Sequence, residues 1–249
     1  MTELSHKNEK NGGEEMATAD SEFKELKVTY IYHSSFVVET ERVQLLFDYF
    51  KGDLECLNPE KPLYVFASHR HGDHFSEKIF ELSRKIDCVY YVLSAAIWKK
   101  RVPEELRERT VFLKPYEERR IGEIHVKTLQ STDIGVAFLV EADGHRIYHA
   151  GDLNDWTWEG EPEEDNRKMR KRYRKEIDSL AGTDLDAAFV VLDGRQEAEY
   201  RAGMDYFLEK VGAKRVYPMH CWDNYGIIRE YMEQRKREGK DDGNLCLIH

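Results

Sequence analysis

Six consecutive residues, His69-Arg70-His71-Gly72-Asp73-His74, place three imidazoles and a carboxylate in one short stretch. Imidazole nitrogens and carboxylate oxygens together suit zinc, manganese or iron. At this spacing the four side chains cannot share one face of a helix, where neighbours recur every three or four residues. On a loop leaving a buried strand they can converge on a cation from several directions. Gly72 is expected to let the backbone turn tightly between the two halves. Three of the chain's ten histidines fall in this window, a concentration that a merely polar loop does not account for. Other chemistry is less well represented. There is no G-x-S-x-G elbow to supply a serine nucleophile. Cys56, Cys88, Cys221 and Cys246 show no C-x-x-C pairing, which points to a reduced, cytoplasmic chain. Cys221, beside His220, reads as a small buried hydrophobe.

The elements that must position this cluster can be read from patterning. Runs rich in β-branched and aromatic residues predict strands at Leu26 to Tyr32, Phe36 to Glu39 and Val43 to Phe47. Leu63 to Ala67 is a compact apolar run, the mark of a buried strand, and it leads directly into the cluster. Ser76 is placed to cap a helix over Glu77 to Arg84. A strand at Cys88 to Leu93 and a short helix at Pro103 to Arg109 follow. Strands are then predicted at Ile124 to Leu129, Val136 to Val140 and Arg146 to His149, with Asp143-Gly144 as a hairpin turn between the last two. A charged helix spans Glu163 to Leu180. The end alternates: strand Ala187 to Leu192, helix Met204 to Val211, strand Arg215 to Tyr217, helix Asn224 to Arg237, strand Leu245 to Ile248. Two strand-rich blocks, each followed by helices, suit two sheets packed face to face with helices outside, although composition alone does not separate this from an ordinary α/β fold.

The 249 residues suffice for one large domain, and a single domain is expected over residues 23–249. Residues 1–22 are polar, lack the apolar stretch of a secretory signal and read as a disordered tail. No apolar run is long enough to span a bilayer. The formal net charge of -10 argues against binding duplex nucleic acid through phosphate neutralisation. The basic stretch Arg167 to Lys175 is read as a solvated helix face, with acids at its start and bases beyond, as the helix dipole favours.

The H-x-H-x-D-H string resembles the hallmark of the metallo-β-lactamase superfamily, and the resemblance runs over most of the chain from about Leu26. Two later landmarks follow in order. Ile147-Tyr148-His149-Ala150-Gly151-Asp152 looks like the strand and turn that carry a metal-bridging aspartate, Asp152. Val216-Tyr217-Pro218-Met219-His220 looks like the strand delivering a last histidine ligand, His220. Within the superfamily the chain is most similar to the UlaG-like lactonase and metal-dependent hydrolase branch. The resemblance implies a four-layer αββα sandwich. It also implies that His69 and His71 serve a first metal, that Asp73, His74 and His220 serve a second, and that Asp152 bridges them. The family's usual further histidine for the first metal is missing: the region reads Leu129-Gln130-Ser131-Thr132-Asp133-Ile134-Gly135. Asp133 either substitutes as an oxygen ligand or holds its loop through its own backbone.

His33 resembles a histidine that this branch carries after its first strand; it either lines the pocket or is a hydrogen-bonded strand-end residue. If the metal-bearing loops share a cleft, Trp156, Trp158 and Trp222 form an apolar wall for substrate, core packing being the other reading. Arg195, in Asp193-Gly194-Arg195, either grips an anionic substrate or pairs with a local acid. The expected chemistry is hydrolysis of a lactone, ester, amide or phosphodiester bond by a metal-bound hydroxide, with one or two divalent ions, zinc first, and with Asp73 orienting the attacking oxygen. His71 stands where the oxygen-reducing di-iron branch has a glutamate, which argues against redox chemistry. Nuclease branches carry insertions absent here, and glyoxalase-like members follow the D-H pair with a glycine-rich turn rather than Phe75-Ser76. The contrasting expectation is a metal-binding or sensor protein whose altered first site has cost activity. A small-molecule substrate is the expected partner, with neither nucleic acid nor membrane; assembly into a homo-oligomer is left open.

Overall fold

The computed structural model describes residues 26–240 and 243–248, so the tail expected at residues 1–22 lies outside the described residues. The first sheet runs, in spatial as in chain order, through β1 (Lys27–Tyr32), β2 (Ser35–Glu39), β3 (Gln44–Phe47), β4 (Leu63–Ala67), β5 (Val89–Ser94) and β6 (Thr110–Leu113). It is antiparallel as far as β3 and parallel beyond. The second sheet runs through β7 (Glu118–Ile121), β8 (Ile124–Gln130), β9 (Val136–Ala142), β10 (His145–His149), β11 (Ala187–Val191) and β12 (Arg215–Met219), antiparallel as far as β10 and parallel from β10 to β12.

Alternation along the strands decides how the sheets stack. Phe36, Phe47 and Phe66 of the first sheet face Phe138 and Phe189 of the second, with ring centroids 4.4 Å apart for Phe36 and Phe189 and 5.2 Å for Phe66 and Phe138. Each such buried ring contributes about 2–3 kcal/mol. The alternate residues Val37, Leu46, Val65 and Ala67 point to the opposite face and pack against Phe75, Ile79 and Leu106. Both faces of β4 are thus covered, which explains its unbroken apolar sequence. On the outer face of the second sheet lie α1 (Glu163–Asp178), α2 (Ala202–Lys210) and α3 (Gly226–Arg237), held by Tyr173, Ile177, Phe207, Ile228 and Tyr231. The architecture is the four-layer sandwich that the resemblance implied.

Its first outer layer differs from expectation, being built of 3-10 turns at Glu77–Arg84 and Glu104–Arg109 rather than α-helices. The Ser76 hydroxyl does accept the Lys78 N–H as a cap, and Ile79, Phe80 and Leu82 are the residues that this segment buries. The Asp143-Gly144 turn is as expected, with both residues at positive φ (49° and 80°). The strand predicted at Leu245 to Ile248 is reduced to a single bridge from Leu245 to Val216. Two strands, β6 and β7, had no counterpart in the sequence reading. Both are sheet edges, and β7 (Glu-Arg-Arg-Ile) exposes three charged residues, which protect an edge and remove the apolar signal of a strand.

Candidate metal centre

The topology brings the chemistry-bearing loops to one rim of the sandwich. The His69–His74 loop leaves β4, Asp48 follows β3, Asp133 follows β8, Asp152 follows β10, Asp193 follows β11, His220 follows β12 and His33 follows β1. All these strands point the same way within their sheets, so the loops share the carboxyl edge, where open α/β sheets put their ligands. Three of these residues, His33, Asp48 and His220, have left-handed backbones with φ of 56°, 43° and 67°. For non-glycine residues each such conformation costs on the order of 1–3 kcal/mol, and it persists only where the surroundings fix it.

The side chains form two groups, in each of which the donor atoms lie within 4.8 Å of one another: His69, His71, Asp133 and Asp152 in one, and His33, Asp73, His74 and His220 in the other. Asp152 spans both. Its Oδ2 is 3.3 Å from His69 Nε2, while its Oδ1 is 3.0 Å from His74 Nε2 and 3.4 Å from His220 Nε2. In the first group His71 Nδ1 lies 3.6 Å from Asp133 Oδ2. The Nε2 atoms of His69, His74 and His220, and Asp152 Oδ1, are buried without a hydrogen-bond partner. Buried polar atoms are ordinarily satisfied, so a convergent set of unsatisfied lone pairs is what a cation site requires. The residues present therefore fit divalent metal.

What turns these lone pairs inward is a layer of carboxylates and a hydroxyl behind them. Asp48 Oδ2 accepts from His74 Nδ1 at 2.8 Å and from the Ser68 hydroxyl at 2.7 Å, and Asp48 Oδ1 accepts the Ser68 N–H at 2.7 Å. The same Ser68 hydroxyl lies 3.0 Å from His69 Nδ1 and, having donated to Asp48, accepts that proton. Asp193 Oδ2 takes the His220 Nδ1 proton at 2.9 Å. With Nδ1 protonated in each ring, Nε2 is the free ligand atom. Beneath them, His149 donates from Nε2 to the Ser34 carbonyl at 2.9 Å and accepts the Gly151 N–H on Nδ1 at 3.1 Å, fixing the turn into Asp152.

Electrostatics follow from this packing. Burial is the largest influence on Asp152 and pushes its carboxyl up, but His74, His69 and His220 together hold it well below the ordinary range. Asp193 is likewise pushed up by burial, yet His220 and Arg195 bring it down to about 2. For His74, burial opposes charge, but Asp152 and Asp48 overcome it and raise the imidazole well above its ordinary value. An imidazole held between two carboxylates marks a cavity that calls for positive charge. Cys221 belongs to neither group; burial pushes its thiol up to about 12, as suits a packing residue.

Known proteins resemble this chain in sequence and in shape. Residues 27–165 match the family model described as the beta-lactamase superfamily domain, which is more than half of the chain. The chain belongs to the beta-lactamase superfamily. Among its relatives, a metal-dependent hydrolase of Korarchaeum cryptofilum is 24% identical over 226 residues, covering 85% of this chain and 89% of that protein. One from Methanosarcina barkeri is 24% identical over 242 residues, covering 90% and 95%. In structure the chain is similar to Igni18, a metallo hydrolase of Ignicoccus hospitalis, with TM-score 0.59, 16% identity, and 90% and 95% of the two chains covered. It is similar too to CmlA, a diiron beta-hydroxylase of Streptomyces venezuelae, with TM-score 0.59, 12% identity, and 90% and 53% covered. Such low identities show the fold alone, and the fold serves more than one chemistry.

Several positions in this superfamily chain differ from expectation. Gly72 is neither at positive φ nor crowded, and a Cβ there would meet nothing within 4 Å, so the turn does not depend on it. The glycines that matter are Gly135 and Gly151, both at positive φ, whose Cβ atoms would lie 2.0 Å from the Ser68 carbonyl oxygen and 2.6 Å from Ser68 Cβ. Asp133 does not tie its carboxylate into its own turn: its N–H donates to the Ser131 hydroxyl at 3.2 Å, and the carboxylate faces His71. His33 is buried beside Trp222, the rings 4.3 Å apart, and neither ring nitrogen is hydrogen-bonded. A cavity of about 360 Å³ opens over the two groups, walled by Trp156, Trp158, Met169 and Trp222 with Arg195 at its edge. Trp156 and Trp158 stack at 6.2 Å, and the Trp156 indole donates to the Asp152 carbonyl at 2.9 Å. Arg195 pairs with Asp193 through Nε at 2.9 Å, the local-acid alternative, while remaining more than half exposed. Asp48, Ser68 and Asp193 as supports escaped the sequence reading; an acid directly after a buried strand was the available signal.

Proposed function

We propose that the protein is a metal-dependent hydrolase that holds two divalent cations, zinc first among zinc, manganese and iron, and cleaves a lactone, ester, amide or phosphodiester bond of a small anionic substrate in the cytoplasm. The observation that carries this reading is the convergence of three buried, unpartnered imidazole nitrogens on Asp152, whose two oxygens face different donor groups. His69, His71, Asp133 and one Asp152 oxygen would hold the first cation; Asp73, His74, His220 and the other oxygen would hold the second. Bound there, such cations supply Lewis acidity and a water acidic enough to lose its proton near neutrality.

The chain's own groups do the rest. Asp73, at the mouth of the site, has its carboxyl pushed up by burial but held below the ordinary range by His33 and His74, so it is an acceptor that can orient an attacking water. His71 and Asp133, with side chains 44% and 42% exposed, turn the first group towards the cavity, where a substrate oxygen can approach it. The tryptophan walls offer apolar surface against which a substrate can pack, and the exposed part of the Arg195 guanidinium offers donors to an anionic group. What speaks against a sensor with a disabled first site is the Asp133 carboxylate, which faces His71 at 3.6 Å and offers an oxygen donor in place of the missing histidine. Metal analysis combined with a panel of lactone, ester, amide and phosphodiester substrates tests the reading. Two equivalents of metal with turnover on one class supports it, and stoichiometric metal with no turnover on any class overturns it. Asp73→Ala and His220→Ala are each expected to lower bound metal by about one equivalent.

A further inference from the structure

We infer that His33 is a ligand of the second cation, making that site a three-imidazole site and the tighter of the two. The inference rests on the two-cation reading above and assigns a residue that reading does not use.

The His33 side chain is fully buried, and both Nδ1 and Nε2 lack hydrogen-bond partners. Every other deeply buried imidazole described at this rim is anchored through at least one nitrogen: His69 to Ser68, His74 to Asp48, His149 through both to Ser34 and Gly151, and His220 to Asp193. Leaving both nitrogens of a buried imidazole unsatisfied is costly, and a cation on Nε2 relieves the part that belongs to its lone pair. The spacing fits such a cation. Asp73 Oδ2 is 3.6 Å from His33 Nε2, 3.7 Å from His74 Nε2 and 3.9 Å from His220 Nε2, so three imidazole nitrogens surround one carboxylate oxygen almost symmetrically. With Asp152 the set is five donors, and neighbouring donors on a five-coordinate ion with bonds of about 2.0–2.3 Å stand roughly 2.8–4.0 Å apart. The backbone agrees: His33 is held at φ 56°, its N–H bonded to the Tyr30 hydroxyl at 2.7 Å, and the His220 N–H donates to the His33 carbonyl at 3.3 Å. That bond ties the turn after β1 to the end of β12, so the two histidines are presented as a pair, their rings 4.1 Å apart. The other group offers two imidazoles, one of them largely exposed, and is expected to be the weaker and more labile.

The test uses chelator-stripped protein reloaded with cobalt(II), whose visible absorption reports the number of nitrogen ligands, together with stoichiometry from metal analysis. The variant is His33→Gly, because glycine accepts φ 56° without strain and leaves a space the size of an imidazole; His33→Asn, which also tolerates that backbone, is the second. Wild type is expected to bind two cobalt ions, one at least tenfold more tightly. Both variants are expected to lose the tighter phase, with binding of that ion weakened at least tenfold, an altered spectrum and unchanged far-ultraviolet circular dichroism. Added imidazole is expected to restore the wild-type spectrum to His33→Gly, which a merely structural role would not produce. Two ions bound by both variants with wild-type affinity and spectrum overturn the assignment while leaving the two-cation reading intact. Wild type that binds no cobalt overturns both.

Discussion

The imidazoles at this rim are aimed by residues that never touch a cation, and those residues set measurable quantities. Asp48 holds the Nδ1 of His74 and the Ser68 hydroxyl behind His69, so it fixes the tautomer of one ring directly and of another through Ser68. Asp48→Asn keeps the shape but removes the charge that polarises both rings. Metal affinity is expected to fall about 10- to 100-fold, read by competition with a chromophoric chelator. Asp193→Asn should do the same at His220, the imidazole whose Nδ1 proton Asp193 takes while it also holds the Arg195 guanidinium. An affinity equal to wild type in both variants would remove these carboxylates from the account. Asp133 is a sharper case, being more exposed and 3.6 Å from His71. Asp133→Ala is expected to cost the weaker of two metal equivalents and leave the tighter one, which a metal titration resolves.

The elements were legible in the sequence to the extent that they are amphipathic or fully buried. Strand β4 and its loop were read directly because Leu63 to Ala67 is apolar on both faces and the histidines follow at once. Strand β7 was not, because it carries Glu118, Arg119 and Arg120 where inner strands carry valine, and β6, Thr-Val-Phe-Leu, is only four residues long. The donor string was legible as a string, but the position of Asp133 and the burial of His33 depend on how β1 and β8 end beside β4 and β12, which no local pattern encodes. Glycine shows the same divide. Gly72, inside the motif, invited a conformational role, whereas Gly135 bears one because β9 starts against Ser68, the Val136 N–H donating to the Ser68 carbonyl at 3.1 Å. Gly135→Ala would force a Cβ to 2.0 Å from that carbonyl at φ +83°, and is expected to destabilise by roughly 3 kcal/mol, lowering Tm by about 6–12 °C. Gly72→Ala should stay within about 0.5 kcal/mol, and equal melting temperatures for the two would contradict the packing described. On the outer layer, Asp205 of α2 receives the Tyr231 hydroxyl at 2.7 Å and the guanidiniums of Arg201 and the buried Arg235. Asp205→Asn is expected to cost about 2 kcal/mol by thermal melt with the metal content unchanged, since this clamp joins α2 to α3 far from the donor rim.

At the scale of the whole molecule, charge at the rim ties folding to pH and to metal in opposite ways. The carboxyls of Asp48, Asp73, Asp152 and Asp193 are all held below their ordinary range in the folded chain. Each contributes stability above its unfolded pKa near ~4 that is lost as pH falls through its folded value. His74 has the opposite sign. Its folded pKa is raised, so its contribution is complete below about pH 6.5 and is lost as pH rises through the folded value. The metal-free chain is therefore expected to be most stable between roughly pH 4 and 6.5 and to weaken towards alkaline pH. A divalent cation at the second group takes the His74 Nε2 that the proton otherwise occupies, so binding releases that proton and strengthens as pH rises. With free metal at a hundred times its Kd the loaded chain gains about 2.7 kcal/mol, or roughly 5–11 °C in Tm. The difference in Tm between metal-loaded and chelator-treated protein should accordingly widen from pH 5.5 to 8.5, and it should go on widening above pH 7, because the folded His74 titrates above its ordinary value. Calorimetric melts at constant free metal across that range measure it directly. A gap that stays level across the range would mean that the cation does not compete for the His74 proton, and the donor role assigned to that imidazole would have to be given up.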